Sequence, residues 1–241
     1  MPYFDASCII FVDYDNLLPQ QKTKGLLDII TQALVQMPFW VNVTRAKCDV
    51  RVYGGWYEGE TLTQLAQNVT VELQRDFPAI IRLPMRNEMQ VALSVYAELA
   101  VALIQEPDHF MFNTYRRKGK PANIRIEKPE DVGCNDEECL LPLMKKMLKK
   151  GRCPKTGCTV GQVNLIYRHE QKIVDTMLAC DMIYAANKMG VIALVSSDDD
   201  FLPPLRTITL QGIKVVRFHT QPNSQRASCS IKGAELLEMD L

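Results

Sequence analysis

The sequence predicts an α/β fold, a mainly parallel sheet with helices on both faces, carrying a small cysteine-rich insertion. Three observations predict it. Uninterrupted apolar runs such as CIIFV (8–12) and VIALV (191–195) have the character of strands buried on both faces. Longer segments with apolar residues at helical spacing alternate with those runs. Residues 105–160 then break the alternation with Pro107, Pro121, Pro129, Pro142 and Pro154, two pairs of cysteines and most of the basic side chains. The organisation that follows is a first part over 1–104, an insertion over 105–160 and a second part over 161–241. A chain of 241 residues can bury roughly 70% of its unfolded surface and needs no disulfides to hold a core.

The elements follow in chain order. Strand 8–12 releases Asp13, Asp15 and Asn16 at its carboxyl end. Leu26, Ile29, Ile30 and Leu34 set a helix over 22–37. A second strand at 49–53 runs into the turn Gly54-Gly55-Trp56, and a helix over 60–76 precedes the short apolar run Ala79-Ile80-Ile81. Segment 91–104 begins with the alternation Val91, Leu93, Val95 and is read as a strand at its front. After the insertion, VNLIY (163–167) is a strand and 172–189 a helix with Val174, Leu178, Met182 and Ile183 among its apolar positions. Strand 191–195 ends in Ser196-Ser197-Asp198-Asp199-Asp200. A helix to about Gln211 is stopped by Gly212, and 213–218 forms the last strand.

Composition excludes several classes. Gly and Pro together number 25 and apolar residues make up 47%, which rules out collagen-like and disordered chains. The longest apolar stretch, 91–104, is too short to span a bilayer and contains Glu98. The N-terminus shows no basic region or cleavage site, which predicts a cytoplasmic protein with no membrane partner. Zero net charge conceals an uneven distribution. Residues 116–155 hold 12 basic and six acidic side chains, so a basic segment sits on an acidic body. Cys8, Cys48, Cys180 and Cys229 are scattered singly and are expected to be buried thiols. His109, His169 and His219 show no metal spacing and are read as structural or solvent-facing.

Ligands of open parallel sheets sit at the carboxyl ends of the strands. Two strands place acids there, Asp13 on one and Asp198 with Asp200 on the other, and helix 172–189 adds Asp175 and Asp181. The latter pair differ by about 240° around the helix, so both cannot point into one site; Asp175, in the first turn, is the preferred third ligand. Taken singly, an aspartate between strand and helix is often only an N-cap, a role open to Ser197 and Asp198. Taken together, converging carboxylates require a cation, and oxygen ligands select a hard ion, Mg²⁺ or Mn²⁺. Such an ion serves phosphodiester hydrolysis by activating water and offsetting charge on the phosphorus oxygens.

The segments IIFVDYDN, YGGWY, QKIVDTMLACDMIYAA, LVSSDDDFLPPL and GIKVVRF resemble the NYN domain, a branch of the PIN-like nucleases, over about 8–83 and 160–219 in the family's order. The resemblance implies a Rossmann-like (PIN-like) domain whose aspartates gather around Mg²⁺ or Mn²⁺ and whose activity is RNA cleavage. By motif, Asp13 matches the first-strand acid and Asn16 the asparagine three positions on. Asp175 matches the acid of the Lys-x-Val-Asp element, Asp181 the acid six residues later, and Asp198 and Asp200 the two acids of the Ser-Gly-Asp-x-Asp-Phe element. The chain departs from the pattern at Ser197 and Ile173, where the family has or often has Gly, and at Pro203-Pro204. Asp199, not required by the family, is expected to face solvent.

Cys134-x4-Cys139 and Cys153-x4-Cys158 suit a structural Zn²⁺, with free or redox thiols as the other reading. Between them Leu140, Leu143, Met144, Met147 and Leu148 line one side of an expected short helix whose other side carries lysines. Lys145, Lys146, Lys149, Lys150, Arg116, Arg117 and Lys172 are the candidate phosphate contacts, for RNA or single-stranded DNA. An acidic protein partner suits the same helix, and a homo-oligomer is compatible with the sequence. Two functions follow. One is a metal-dependent endoribonuclease leaving 5′-phosphate and 3′-hydroxyl ends, with Asp13, Asp175 and Asp198 as ligands, Asp181 and Asp200 holding water or the outer shell, and Asn16 orienting the first loop. The other is a module that binds nucleic acid or protein without turnover, the reading that Ser197 favours.

Overall fold

The structure is a computed structural model that describes residues 4–84, 90–118, 140–161, 168–171, 173–221 and 236–241. It separates into two compact units, Met1–Thr114 with Gln171–Leu241, and Tyr115–Glu170.

The larger unit is built on β1 (Ala6–Asp13), whose residues from Cys8 onward are all buried. It pairs in parallel with β2 (Arg45–Tyr53) on one edge and β9 (Val191–Val195) on the other. Between β1 and β2 run α1 (Pro19–Lys24) and α2 (Leu26–Gln36). A small antiparallel pair, β3 (Tyr57–Glu58) and β4 (Thr61–Leu62), leads to α3 (Gln64–Asp76), started by Thr63, whose hydroxyl accepts the Ala66 N–H at 3.2 Å. Next come β5 (Ala79–Pro84) and β6 (Gln90–Leu99), antiparallel to each other, with β6 parallel to β2.

Beyond the second unit lie α5 (Val174–Ala185), α6 (Leu202–Leu210), β10 (Lys214–His219) and β11 (Leu236–Asp240). The seven-stranded sheet has the order β11-β10-β9-β1-β2-β6-β5, and every pairing in it except β5–β6 is parallel. Alternating residues of β1 feed two cores. Cys8, Ile10 and Val12 pack with α2 and α3, whereas Ile9 and Phe11 pack with α5 and α6. The α/β class with helices on both faces is therefore the observed one.

The second unit contains β7 (Tyr115–Lys118), α4 (Leu141–Lys150) and β8 (Arg168–Gln171), with β7 paired to β8 and a single bridge between Arg152 and Gly161. Only Leu148 of α4 is buried, while Leu140, Leu143 and Met144 are exposed. The helix is amphipathic in sequence, but its apolar side is mostly uncovered. The strand expected at 163–167 lies outside the described residues. No helix among the described residues is long and apolar enough to cross a membrane.

Several expectations are corrected. The helix over 22–37 is two helices, because Gly25 adopts φ +94°, closing α1 as its C-cap and opening α2 as its N-cap. Glu72 of α3 fills the break, its Oε1 accepting the Leu26 N–H at 2.6 Å. The helix expected over 172–189 spans only Val174–Ala185. Cys180 on that helix is exposed, whereas Cys8 and Cys48 are buried as expected, and Cys229 lies outside the described residues. Strand β11 was not foreseen: LLEMD offers only two consecutive apolar residues before Glu238, and its place as a sheet edge comes from pairing with β10.

A side chain at Gly25 would have to adopt an unfavourable backbone conformation and bring its Cβ to 3.1 Å from Glu72 Oε1. Gly25→Ala is expected to cost about 1–2 kcal/mol in urea unfolding, and Glu72→Ala about 1 kcal/mol. The double variant should cost less than the sum, because both changes act on one contact.

Candidate active site

The register Val12↔Val195 brings the ends of β1 and β9 side by side, so Asp13 leaves the sheet next to Ser196. The Ser196 hydroxyl donates to Asp13 Oδ2 at 2.8 Å and its oxygen accepts the Asp198 N–H at 3.1 Å. Asp198 begins the 3-10 turn Asp199–Phe201, its Oδ1 accepting the Asp200 N–H at 2.9 Å. The capping role foreseen for Asp198 is thus real, and it leaves Asp198 at the same edge as Asp13. Asn16 spans the gap between strands. Its Oδ1 accepts from the Ser197 N–H at 2.8 Å and from the Thr220 hydroxyl, just past β10, at 2.7 Å. Ser197 turns its hydroxyl to Thr220 at 3.0 Å and to the Gln221 N–H at 3.0 Å. The hydroxyl that replaces the family's hydrogen is engaged in the scaffold of the edge.

Asp175 stands in the first turn of α5, two residues after Ile173, which holds φ +61°. A β-branched residue in this region is strained, and the strain sits where the resembling family often has Gly.

The carboxylates sense one another. Burial pushes the Asp13 carboxyl up to about 6, the Ser196 hydrogen bond opposes that rise, and the charges of Asp15 and Asp175 add to it. Asp13 is only 7% exposed, so burial is expected to lead. The Asp175 carboxyl is also pushed up, first by lost hydration and then by Asp198, Asp200 and Asp15. Asp13, Asp15, Asp175, Asp198 and Asp200 therefore form one electrostatic neighbourhood.

Sequence reasoning gave Asp15 and Ser196 no role in the site beyond their places at the strand ends, and Thr220 none at all. Asp15 could have been found from its place two residues after Asp13. Ser196 and Thr220 carry no signal apart from the strand ends they occupy.

Asp181 stands apart. It is 1% exposed and accepts from the Tyr53 hydroxyl at 2.6 Å and the Ile104 N–H at 2.8 Å, with an Arg51 nitrogen at 3.5 Å. Its carboxylate is committed to β2 and the segment after β6, because six residues of helix rotate it away from Asp175. Asp199 also differs from expectation. It meets the buried Arg217 at 3.1 Å, though it remains 43% exposed.

Among the described residues no group of three or more His, Cys, Asp and Glu side chains is arranged to hold a metal ion. The donor chemistry nonetheless fits a hard divalent cation: oxygen atoms only, negative charge in excess, and Asp13 and Asp175 carboxyls pushed up by burial and then by their neighbours. Of the cysteines, Cys134 and Cys139 lie outside the described residues. Cys153 and Cys158 are half-buried free thiols, their backbone tied by Cys153 N–H to Val160 O at 3.0 Å and Cys158 N–H to Lys155 O at 3.2 Å. Lys146, Lys149 and Lys150 are exposed on α4 and Lys145 is half-buried. Arg116 and Arg117 belong to β7, and Lys172 lies outside the described residues.

The Asp13 shift has a sign that can be checked. A native carboxyl near pH 6 against an unfolded value near 3.9 means the folded state binds the proton more tightly. Ionisation of Asp13 therefore costs nothing below about pH 4, costs progressively more up to about 6, and weighs fully above that. In EDTA, Asp13→Asn should be more stable than the wild type by about 2 kcal/mol at pH 7.5 and equal to it at pH 4, measured by urea unfolding.

The model of the NYN domain matches residues 143–235. That stretch contains Asp175, Asp181, Asp198 and Asp200, begins inside the basic insertion, and leaves Asp13 and Asn16 outside. No curated protein matches the chain, and no solved structure matches it. The matched stretch supplies β9, β10 and the acids of their edge, and over these residues the chain is similar to the NYN domain.

Proposed function

We propose that the chain is a metal-dependent endoribonuclease. The similarity of residues 143–235 to the NYN domain supports a nuclease-like function, and the observation that carries the finer reading is the gathering of Asp13, Asp15, Asp175, Asp198 and Asp200 at the carboxyl edge of the sheet. Asp13, Asp175 and Asp198 would hold Mg²⁺ or Mn²⁺. A bound divalent ion supplies Lewis acidity there, lowering the pKa of water and offsetting charge on the phosphorus oxygens. Ser196 fixes the Asp13 carboxylate, and Asn16 ties the first loop to the backbone of Ser197. Asp15 and Asp200 enlarge the negative field that draws the cation in. The lysines of α4 are candidates for phosphate contacts with RNA.

The reading is tested with purified protein, single-stranded and structured RNA, and Mn²⁺ or EDTA. The expected result is cleavage that leaves 5′-phosphate and 3′-hydroxyl ends, stops in EDTA and falls by on the order of 10²-fold or more in Asp13→Asn with Asp198→Asn. Cleavage that persists in EDTA sinks the mechanism. A second reading, a binding module without turnover, is favoured by Ser197, which stands where the resembling family usually has Gly. Calorimetry separates the two, since only the first requires tight Mn²⁺ binding.

For the smaller unit we infer one Zn²⁺ held by Cys134, Cys139, Cys153 and Cys158, which would supply ordering free energy that a largely exposed α4 does not. Elemental analysis is expected to find zinc in addition to any Mg²⁺ or Mn²⁺. Cys153→Ser should loosen residues 115–170 without changing the unfolding of the sheet unit, and weaken RNA binding more at low salt than at high salt.

A further inference from the structure

Arg217 lies in the middle of β10, paired in register with Leu194 and Glu238, and is 0% exposed. A buried guanidinium is costly unless its donors are met. Here Nε donates to the Ser196 carbonyl at 3.1 Å, and Nη1 and Nη2 both donate to Asp199 Oδ1 at 3.1 Å. Nη1 also stands 3.5 Å from Glu238 Oε1. The planar fork thus grips one backbone atom and one side chain of the segment that carries Asp198 and Asp200. It anchors them to β10 and, through Glu238, to β11.

We propose that Arg217 is the positioning residue of the acidic edge. By fixing Ser196 and Asp199 from beneath, it sets where Asp198 and Asp200 stand relative to Asp13. It touches no reacting atom. Its effect is passed on through the Ser196 hydroxyl, which binds both Asp13 and the Asp198 N–H, and through the Asp198 cap on Asp200. A lysine would keep the charge but lose the fork, so it could not hold the Ser196 carbonyl and Asp199 together. The purpose of the device rests on the nuclease reading, whereas its mechanical part does not.

The full chain serves for the test, in three variants: Arg217→Lys, Asp199→Ala and Asp199→Asn. Amide hydrogen exchange resolves the segment 196–200, and calorimetry with Mn²⁺ reads the site. In Arg217→Lys and Asp199→Ala, exchange over 196–200 should speed up about tenfold or more while that of β1 and β9 stays unchanged, and Mn²⁺ should bind about tenfold more weakly. Asp199→Asn keeps the Oδ1 acceptor and should stay within about threefold of wild type in both measurements. A merely structural role would lower the melting temperature and leave both readouts alone. Unchanged exchange over 196–200 in a folded Asp199→Ala overturns the proposal, as does faster exchange with unaltered Mn²⁺ affinity. A wild type that binds no Mn²⁺ overturns the nuclease reading instead, and exchange alone then decides whether Arg217 holds the loop.

Discussion

The site depends on the position of β1. This strand is hydrogen-bonded to a parallel neighbour on each edge and packed against helices on each face. Its last residue, Asp13, must therefore leave the sheet from a dry environment. That is why burial leads among the causes that push its carboxyl up, and why a single serine hydroxyl matters to it. Asp15, two residues further on, is already exposed and contributes chiefly its charge. The same constraint orders the neighbours. A parallel sheet delivers the ends of β1, β9 and β10 to one edge, so Asp13, Ser196 and Thr220 converge without any of them being close in sequence.

Holding several carboxylates at one edge demands a scaffold that does not yield to their repulsion. Part of it consists of short polar side chains: Asn16 spans from the first strand to the loop after β9 and to Thr220, and Ser196 links Asp13 to the Asp198 backbone. Part is a buried charge, Arg217, held between Asp199 and Glu238. On the other side of α5 a second buried acid, Asp181, ties the helix to Tyr53 and Ile104. The two aspartates of α5 thus divide the work: one faces the edge, and the other fastens the helix that presents it.

The smaller unit obeys a different logic. Its helix α4 exposes most of its apolar residues and carries a dense row of lysines, so burial contributes little to its order. The Zn²⁺ proposed for it would stabilise such a segment by ligand bonds more than by a core. The unit also concentrates positive charge on a chain whose remaining residues are acidic overall.

The sequence by itself determined the α/β class, because strands buried on both faces are written as uninterrupted apolar runs that no solvent-facing strand could use. It also determined that Asp13, Asp198 and Asp200 share an edge, since Asp13 directly follows one such run, the other two lie three and five residues past another, and parallel strands end together. Other features were decided only by tertiary structure. Gly25 splits one helical pattern in two because Glu72, 47 positions away, caps the break. Strand β11 exists because β10 offers an open edge, although its own residues give a weak strand pattern. Asp199 and Asp181 look like solvent-facing or site acids in the sequence. Their partners Arg217, Tyr53 and Ile104 lie on other elements, and only folding brings them within hydrogen-bond distance. Local spacing fixes which side of an element a residue occupies, whereas the group it meets there is fixed by the packing of elements remote in sequence.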